Sequence, residues 1–195
     1  MIVVRDIYQT FQELSQCERA GIDYEIECII RKKDIVVLAI HGGTMEEGTL
    51  EMARELAQEV NGTFYAFKCL KKEDPFELHV TSTHYDEELA RSLVHESNIT
   101  ISFHGARGAE REIYIGGRDE PLASRVKELL KPGFIVVEPP PHLRGVSPDN
   151  IANDNTRHQG LQLELTVPQY DELLTNVEKK QSFIESLVKA IKESE

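Results

Sequence analysis

The chain alternates between two spacings of apolar residues. Short β-branched runs, such as residues 35–40, have the length and composition of buried strands. Residues 49–60 instead carry apolar side chains at helical spacing and stop at Asn61-Gly62. This alternation of strands and helices predicts a layered α/β fold with a mixed, largely parallel sheet. The predicted helices are 5–19, 49–60, 87–96, 122–130 and 177–191, and the predicted strands are 24–30, 35–40, 63–68, 77–83, 98–103, 113–117, 134–137 and 161–166.

Two of the predicted buried strands end in the same dipeptide, His41-Gly42 and His104-Gly105. The carboxyl ends of parallel strands share one sheet edge, where ligands bind in open α/β sheets, so the two histidines are expected to converge there. Glu46 joins them from the loop after the first strand. Two histidines and a glutamate, with a fourth position left to water, form a catalytic zinc arrangement. The alternative for the first stretch is a tight turn with a capping carboxylate.

A water-activating metal centre needs a nearby carboxylate that accepts the proton of the water. Residues 161–165 alternate strictly, so the leucines share one face of the strand while Gln162 and Glu164 share the other. Glu164 is therefore the candidate base. On the pattern alone, an ordinary edge strand with both polar side chains in solvent is the alternative.

Composition and charge narrow the class of partner. The 195 residues suit a single domain, 1–195, and the net charge of −12 disfavours nucleic acid and anionic membranes as partners. No apolar run approaches the length of a membrane span, and no basic leader precedes a long apolar region, so we expect a cytoplasmic location. Three widely spaced cysteines argue against a disulfide framework or a zinc ribbon.

Three blocks, in this order, resemble the poly-γ-glutamate hydrolase family of bacilli and their phages. The blocks are His41-Gly42-Gly43-Thr44-Met45-Glu46-Glu47-Gly48-Thr49, Ser102-Phe103-His104-Gly105 and Gly160-Leu161-Gln162-Leu163-Glu164-Leu165. The similarity covers nearly the whole chain. It implies a three-layer α/β/α fold of the zinc-carboxypeptidase (phosphorylase/hydrolase-like) type. It also implies Zn²⁺ held at the positions of His41, Glu46 and His104, with Glu164 as catalytic base.

The resemblance implies attack of water on the amide carbonyl of poly-γ-glutamate or a γ-glutamyl oligomer. Every residue of that substrate carries a free α-carboxylate, which a protein of net charge −12 must offset locally. Bidentate arginines suit this task. We predict Arg107, beside His104, and Arg144 and Arg157, before Glu164, as substrate-binding residues; each is also compatible with a solvated surface charge. Meeting an extracellular polymer would require lysis or another export route.

Two further hypotheses stay open from the sequence. The same site would serve a zinc carboxypeptidase or an amide deacylase that acts on another small acid, with only the carboxylate-binding loops changed. Alternatively, the chain is a non-catalytic relative that keeps the fold, either binding metal or as a metal-free interaction protein. The presence of both histidines and both glutamates in one sequence argues against the last hypothesis.

Overall fold

The computed structural model describes residues 6–194. Within them, no helix combines the length and the apolarity that crossing a membrane requires. The strands are β1 (Tyr24–Ile29), β2 (Lys32–Gly43), β3 (Gly62–Cys69), β4 (Ile99–Ala106), β5 (Glu112–Gly117), β6 (Ile135–Val137) and β7 (Leu161–Thr166). The helices are α1 (Phe11–Cys17), α2 (Thr49–Glu59), α3 (Glu88–His95), α4 (Glu120–Leu130), α5 (Val167–Thr175) and α6 (Val177–Lys192).

All seven strands form one sheet in the order β1-β3-β2-β4-β7-β5-β6. The four central strands, β3, β2, β4 and β7, run parallel to one another. β1 pairs antiparallel with β3 at one edge, and β5 pairs antiparallel with β7 near the other. The predicted mixed, largely parallel sheet is therefore confirmed, as is the prediction that residues 24–30 lie near an edge.

Helices cover both faces of the sheet and give the predicted three layers. On one face, the leucines of β7 and the odd-numbered apolar residues of β2 and β4 pack against apolar residues of α2, α4, α5 and α6. On the other face, the even-numbered apolar residues of β2 pack against α1, α3 and the segment that contains Leu78 and Val80. Strict alternation along β7 places Leu163 in the first core and turns Glu164 to the second face.

The prediction of a strand over 77–83 is wrong. The chain forms a 3₁₀ turn at Pro75–Leu78 and then continues as irregular backbone. The backbone of residues 79–83 bonds to side chains and a loop rather than to a neighbouring strand: Asp6 accepts the Thr81 N–H, and the Ile151 N–H donates to the carbonyl of Ser82. Alternation arises here because the apolar side chains enter the core and the polar ones face a cleft, without any strand pairing.

Two helices also differ from the predictions. The predicted helix 5–19, whose first residue lies outside the described residues, is reduced to Phe11–Cys17, and Ile7 is 57% exposed rather than part of an inward stripe. Helix Val167–Thr175 was not predicted. It follows β7 without any turn residue, and Pro168 in its first turn supplies the fixed φ that suits a helix start.

The sheet opens between β2 and β4 at their carboxyl ends. These strands pair from Ile35↔Ile99 to Leu38↔Ser102, and the pairing stops before either histidine is reached. α2, which follows β2, packs on one face of the sheet, while α3, which precedes β4, packs on the other. The crevice is thus a topological switch point, the place where open α/β sheets bind ligands.

The core is expected to depend on Phe183 of α6, which is fully buried with its ring edge-on to Phe103 and Phe134, at centroid distances of 6.4 and 5.7 Å. Phe183→Ala should lower the free energy of unfolding by about 3–5 kcal/mol, because the neighbouring rings cannot collapse into the space. Urea denaturation followed by circular dichroism measures this. Leu174→Ala on α5, where the side chain is 45% exposed, is the control and should change stability by about 0.5 kcal/mol. Equal losses would contradict this packing.

Candidate active site

The structure brings His41, Glu46 and His104 together at the mouth of the β2–β4 crevice. The Nδ1 atom of His41 lies 3.3 Å from Glu46 Oε1 and 3.1 Å from His104 Nδ1, and His104 Nδ1 lies 3.9 Å from Glu46 Oε2. One donor atom from each residue falls within 4.8 Å of the others. Both histidines are only 3% exposed, so the three donors face one another in a site largely closed to water.

A local irregularity in β2 directs His41 into this site. Ala39 packs with the core on the α2 face and Ile40 with the core on the α3 face, so regular alternation would return His41 to the α2 face. Between Ala39 and Gly42, however, the register of β2 against β3 shifts by one residue. The extra residue turns His41 towards His104, which is the re-aiming effect that bulges have beside active sites.

The loop after β2 is folded tightly enough to bring Glu46 back to the strand end. The Glu46 N–H donates to the carbonyl of His41 at 3.0 Å, and Gly105 N–H donates to Glu46 Oε2 at 2.8 Å. Gly105 also provides the space, because a Cβ there would lie 3.1 Å from Glu46 Cβ and Cγ. Gly43 adopts φ of +76°, which a glycine reaches without strain.

Hydrogen bonds on the far side of each ring aim the nitrogen lone pairs inward. His41 Nε2 lies 2.9 Å from the carbonyl oxygen of Val80, which only accepts, so Nε2 is assigned the proton and Nδ1 keeps its lone pair. His104 Nε2 lies 2.8 Å from Ser102 Oγ, which leaves its Nδ1 facing His41. With both rings neutral, the two Nδ1 atoms, 3.1 Å apart beside a carboxylate, form a donor set that fits a cation.

Burial and mutual charge set the protonation states of the site. Burial, together with the neighbouring His41 ring, lowers the pKa of His104 to about 3, so His104 is neutral. Burial opposes charge on His41, but the Glu46 carboxylate outweighs it and raises the pKa of His41. Burial likewise opposes charge on Glu46, yet the two histidines lower its pKa. Glu46 thus favours the protonated form of His41, and metal binding would release that proton, because neutral imidazoles and carboxylates are the forms that bind metal.

A third histidine, His79, packs against His41 and is itself paired with Asp6. The ring of His79 lies against that of His41 with centroids 4.1 Å apart, and its Nδ1 is 2.6 Å from Asp6 Oδ1. Asp6 is held in turn by the Thr81 N–H at 2.9 Å. Asp6 is 73 residues from His79, and no local pattern in the sequence signals the pairing.

Glu164 reaches the same site from the neighbouring strand. In the parallel pairing of β4 with β7 it lies directly opposite His104, and its residue is 6% exposed. β7 runs between β4 and β5, so the edge-strand alternative does not apply. Burial, and then the charge of Glu46, raise the pKa of Glu164 well above its ordinary value. Gln162 donates from Nε2 to Glu164 Oε1 at 2.9 Å.

The centre opens into a cavity of about 510 Å³ with polar walls. No arginine or lysine lines it within residues 6–194; the walls offer hydroxyls, imidazoles and amides instead. The lining residues are His41, Glu46, His79, Thr81, Ser82, Thr83, His104, Gly105, Pro141, His142, Leu143, Gly145, Val146, Ser147, Asn150, Gln162 and Glu164.

The three arginines predicted for substrate binding lie outside this lining. Arg107 is exposed just beyond the end of β4, and Arg144 is exposed on the loop that forms one cavity wall. Arg157 Nη1 lies 3.2 Å from Asp119 Oδ2, and Asp119 also caps α4. The structure therefore brings the metal-ligand candidates and Glu164 together but does not place these arginines with them.

Tyr170 supports the site and was missed by sequence reasoning. Its hydroxyl donates to the backbone carbonyl of His104 at 2.9 Å, and its ring fills the space over Gly48, where a Cβ would come within 2.6 Å. Gly48 has φ of +93° and precedes α2. Tyr170 lies on α5, the helix that was not predicted, so its approach to the strand end had no basis in the sequence pattern.

Fold and site together describe an α/β protein with a candidate metal centre at the carboxyl edge of its sheet. The chain belongs to the poly-gamma-glutamate hydrolase family, since the sequence model of that family matches residues 8–191. It is 37% identical over 169 residues to the UPF0714 protein YndL of Bacillus subtilis (strain 168), covering 85% of this chain and 66% of YndL. The SPbeta prophage-derived UPF0714 protein YoqZ of the same strain is 34% identical over 175 residues, covering 88% of this chain and 63% of YoqZ.

Solved structures match the whole fold. A bacteriophage poly-gamma-glutamate hydrolase superposes with a TM-score of 0.92 at 25% identity, covering 97% of this chain and 98% of the phage chain. YndL in a zinc-free apo form superposes with a TM-score of 0.89 at 35% identity, covering 97% and 99%. The predicted fold class and family are thereby confirmed. The chain spans about two thirds of the full length of YndL and YoqZ.

Gly105→Ala should weaken metal binding by His41, Glu46 and His104 without unfolding the protein. The new methyl group would meet the Cβ and Cγ atoms of Glu46 at 3.1 Å and displace its carboxylate from the two imidazoles. We expect an affinity loss of about 10- to 100-fold, the usual effect of disturbing a ligand's support. Competition with a chromophoric chelator measures it. Gly133→Ala is the control, because a Cβ there meets nothing within 4 Å; equal zinc affinity in both variants would show that Gly105 does not position Glu46.

Proposed function

We propose that this chain is a zinc-dependent hydrolase that cleaves γ-glutamyl amide bonds of poly-γ-glutamate. The observation that carries the proposal is the buried set of His41, Glu46 and His104 with Glu164 beside it on the next strand, all on one cavity. Membership of the poly-gamma-glutamate hydrolase family supports the substrate. The zinc-free apo form of YndL, to which this chain is similar, supports zinc as the metal.

The two Nδ1 atoms of His41 and His104 and the carboxylate of Glu46 would hold the metal. Zinc in such a site lowers the pKa of water and polarises a carbonyl oxygen. The Val80 carbonyl and Ser102 hydroxyl keep the ring nitrogens turned inward. These hydrogen bonds fix ring orientation before any metal arrives, which reduces the reorganisation that binding would otherwise require.

Glu164 acts as the general base. It takes a proton from the attacking water while the water oxygen bonds to the amide carbon, and it returns that proton to the nitrogen as the carbon–nitrogen bond breaks. Burial and the charge of Glu46 raise the pKa of Glu164, so its carboxylate holds a proton more readily than an exposed glutamate does. A general base must start ionised, and the positive charge of a bound metal would favour that form of Glu164.

The α-carboxylates of the substrate are expected to be bound at the margin of the cavity rather than beside the reacting amide. Arg144 is on the loop 141–147, whose other residues contribute most of one wall, and Arg107 follows the strand end that carries His104. Both are exposed and within the same region of the chain as the lining residues. Arg157, held by Asp119, is expected to contribute least.

The base and the metal ligands are separable by mutation. Glu164→Gln should reduce cleavage of poly-γ-glutamate about 100- to 10,000-fold while zinc stays bound, because the amide keeps the shape but accepts no proton. His104→Ala should lose both zinc and activity, and a chelator should silence the wild-type protein. Polymer length by size-exclusion chromatography and zinc by atomic absorption give the two readouts.

Glu59→Gln, an exposed glutamate at the end of α2, is the control for the first variant and should remain active. Full activity of Glu164→Gln would rule out Glu164 as base. If the wild-type protein binds stoichiometric zinc but does not shorten the polymer, its substrate is another amide, as in the carboxypeptidase or deacylase hypothesis. A wild-type protein that binds no zinc would contradict the proposed function and leave only the assignment of the fold.

The arginines are tested by substrate affinity. Arg144→Ala and Arg107→Ala should each raise KM for the polymer by up to about fivefold with little change in kcat, since exposed ion pairs contribute about 1 kcal/mol or less. The effect should shrink at high salt because exposed charges are screened. Arg125→Ala on α4, where the guanidinium pairs with Glu193 and Glu128, is the control. KM values equal to that of the control would remove both arginines from substrate binding.

A further inference from the structure

A chain of buried hydrogen bonds runs from the backbone to the proposed base. The Ala152 N–H donates to Asn150 Oδ1 at 3.0 Å, and Asn150 Nδ2 donates to Gln162 Oε1 at 2.7 Å. Gln162 Nε2 then donates to Glu164 Oε1 at 2.9 Å. Asn150, Gln162 and Glu164 are 3%, 5% and 6% exposed, so water competes little for these bonds.

The backbone fixes which group donates and which accepts in each of these hydrogen bonds. A backbone N–H only donates, so Asn150 must turn its oxygen to Ala152 and its amino group to Gln162. Gln162 must then accept through Oε1, which leaves its own amino group facing Glu164. The same Nε2 lies 3.4 Å from the carbonyl oxygen of Leu143, a second partner that only accepts. The Ala152 N–H at one end and the Leu143 carbonyl at the other thus require the same orientation of both amides.

We propose that Asn150 and Gln162 are positioning residues that lock the Glu164 carboxylate in one orientation. Oε1 is committed as an acceptor, and Oε2 is left as the oxygen that takes up and returns the proton. The inference rests on the proposed role of Glu164 as base. A base that acts twice in one reaction must present the same atom both times, and a carboxylate free to rotate would lose that geometry.

Asn150→Asp isolates the positioning role from the structural one. Asn150 also caps the 3₁₀ turn Ile151–Asn153 through Oδ1, and aspartate preserves that acceptor while removing only the donor. Gln162 would then reverse to donate to the new carboxylate and would present an oxygen to Glu164 Oε1. We expect kcat to fall about 10- to 100-fold, with KM and zinc content unchanged and Tm lowered, because the new carboxyl is buried.

Gln162→Met provides the second arm of a double-mutant cycle. Methionine keeps the length of the side chain and removes both polar ends, so kcat should fall to a similar extent. Combining it with Asn150→Asp should cause no further loss, because Asn150 acts on Glu164 only through Gln162. Multiplicative losses in the double variant would overturn the proposal.

Asn155→Asp is the matched control in the same segment. Asn155 is buried, and its Nδ2 donates to Thr100 Oγ1 at 3.2 Å and to the Gln159 carbonyl at 2.5 Å, with no connection to Glu164. The same chemical change should therefore lower Tm and leave the kcat of the folded protein intact. An unchanged kcat in Asn150→Asp, or a loss of kcat in both asparagine variants alike, would contradict the positioning role.

A readout without turnover separates this inference from the proposed function. In ¹H–¹⁵N spectra of the full chain, the Gln162 side-chain amide is assigned as the signal missing from Gln162→Met. That signal should shift in both Glu164→Gln and Asn150→Asp, and not in Asn155→Asp. If the wild-type protein fails to shorten the polymer, the proposed function is wrong, but these shifts still test the orientation of Gln162. A Gln162 signal that shifts in neither variant would overturn the positioning proposal.

Discussion

The facing Nδ1 atoms of His41 and His104, 3.1 Å apart beside a buried carboxylate, are the contact on which the rest of the site depends. Two ring nitrogens can lie this close only with a proton or a cation between them, because bare lone pairs repel. The Val80 carbonyl and the Ser102 hydroxyl hold the rings in this orientation, and the pairing of β2 with β4 stops short of both strand ends. A cation bound between the two nitrogens would take the place of that proton.

One face of the sheet packs the larger core, and the other face carries His104 and Glu164 at the cavity. Along β7, Leu163 packs into the larger core while Glu164, one residue on, faces the cavity. Along β4, Phe103 and His104 divide in the same way. Because each reactive side chain is adjacent to a fully buried one, its backbone is immobilised by packing on the opposite face. The site therefore sits on strands rather than on loops, with Glu46 as the exception.

Sequence could predict what depends on neighbours in the chain. The two strands that end in His-Gly predicted that His41 and His104 meet at one edge, because parallel strands share a direction. The alternation around Glu164 was equally compatible with an edge strand in solvent, and the family resemblance decided for the site. The bulge that turns His41 depends on its pairing with β3, and the support from Asp6 and Tyr170 depends on contacts across 73 and 66 residues. The strand expected over 77–83 was wrong because one-sided burial alone produces the same alternation as a pleated strand.

The absence of arginine and lysine from the cavity lining within residues 6–194 is compatible with the proposed role of Glu164 as base. A guanidinium beside Glu164 would bind its carboxylate through both oxygens and hold it ionised. Such a carboxylate would take up a proton poorly, and the hydrogen bond from Gln162 would compete for the same oxygen. An amide donor occupies one oxygen without adding a positive charge. Under the proposed function, substrate carboxylates would be bound at the margin of the cavity, where exposed arginines are too far from Glu164 to hold it ionised.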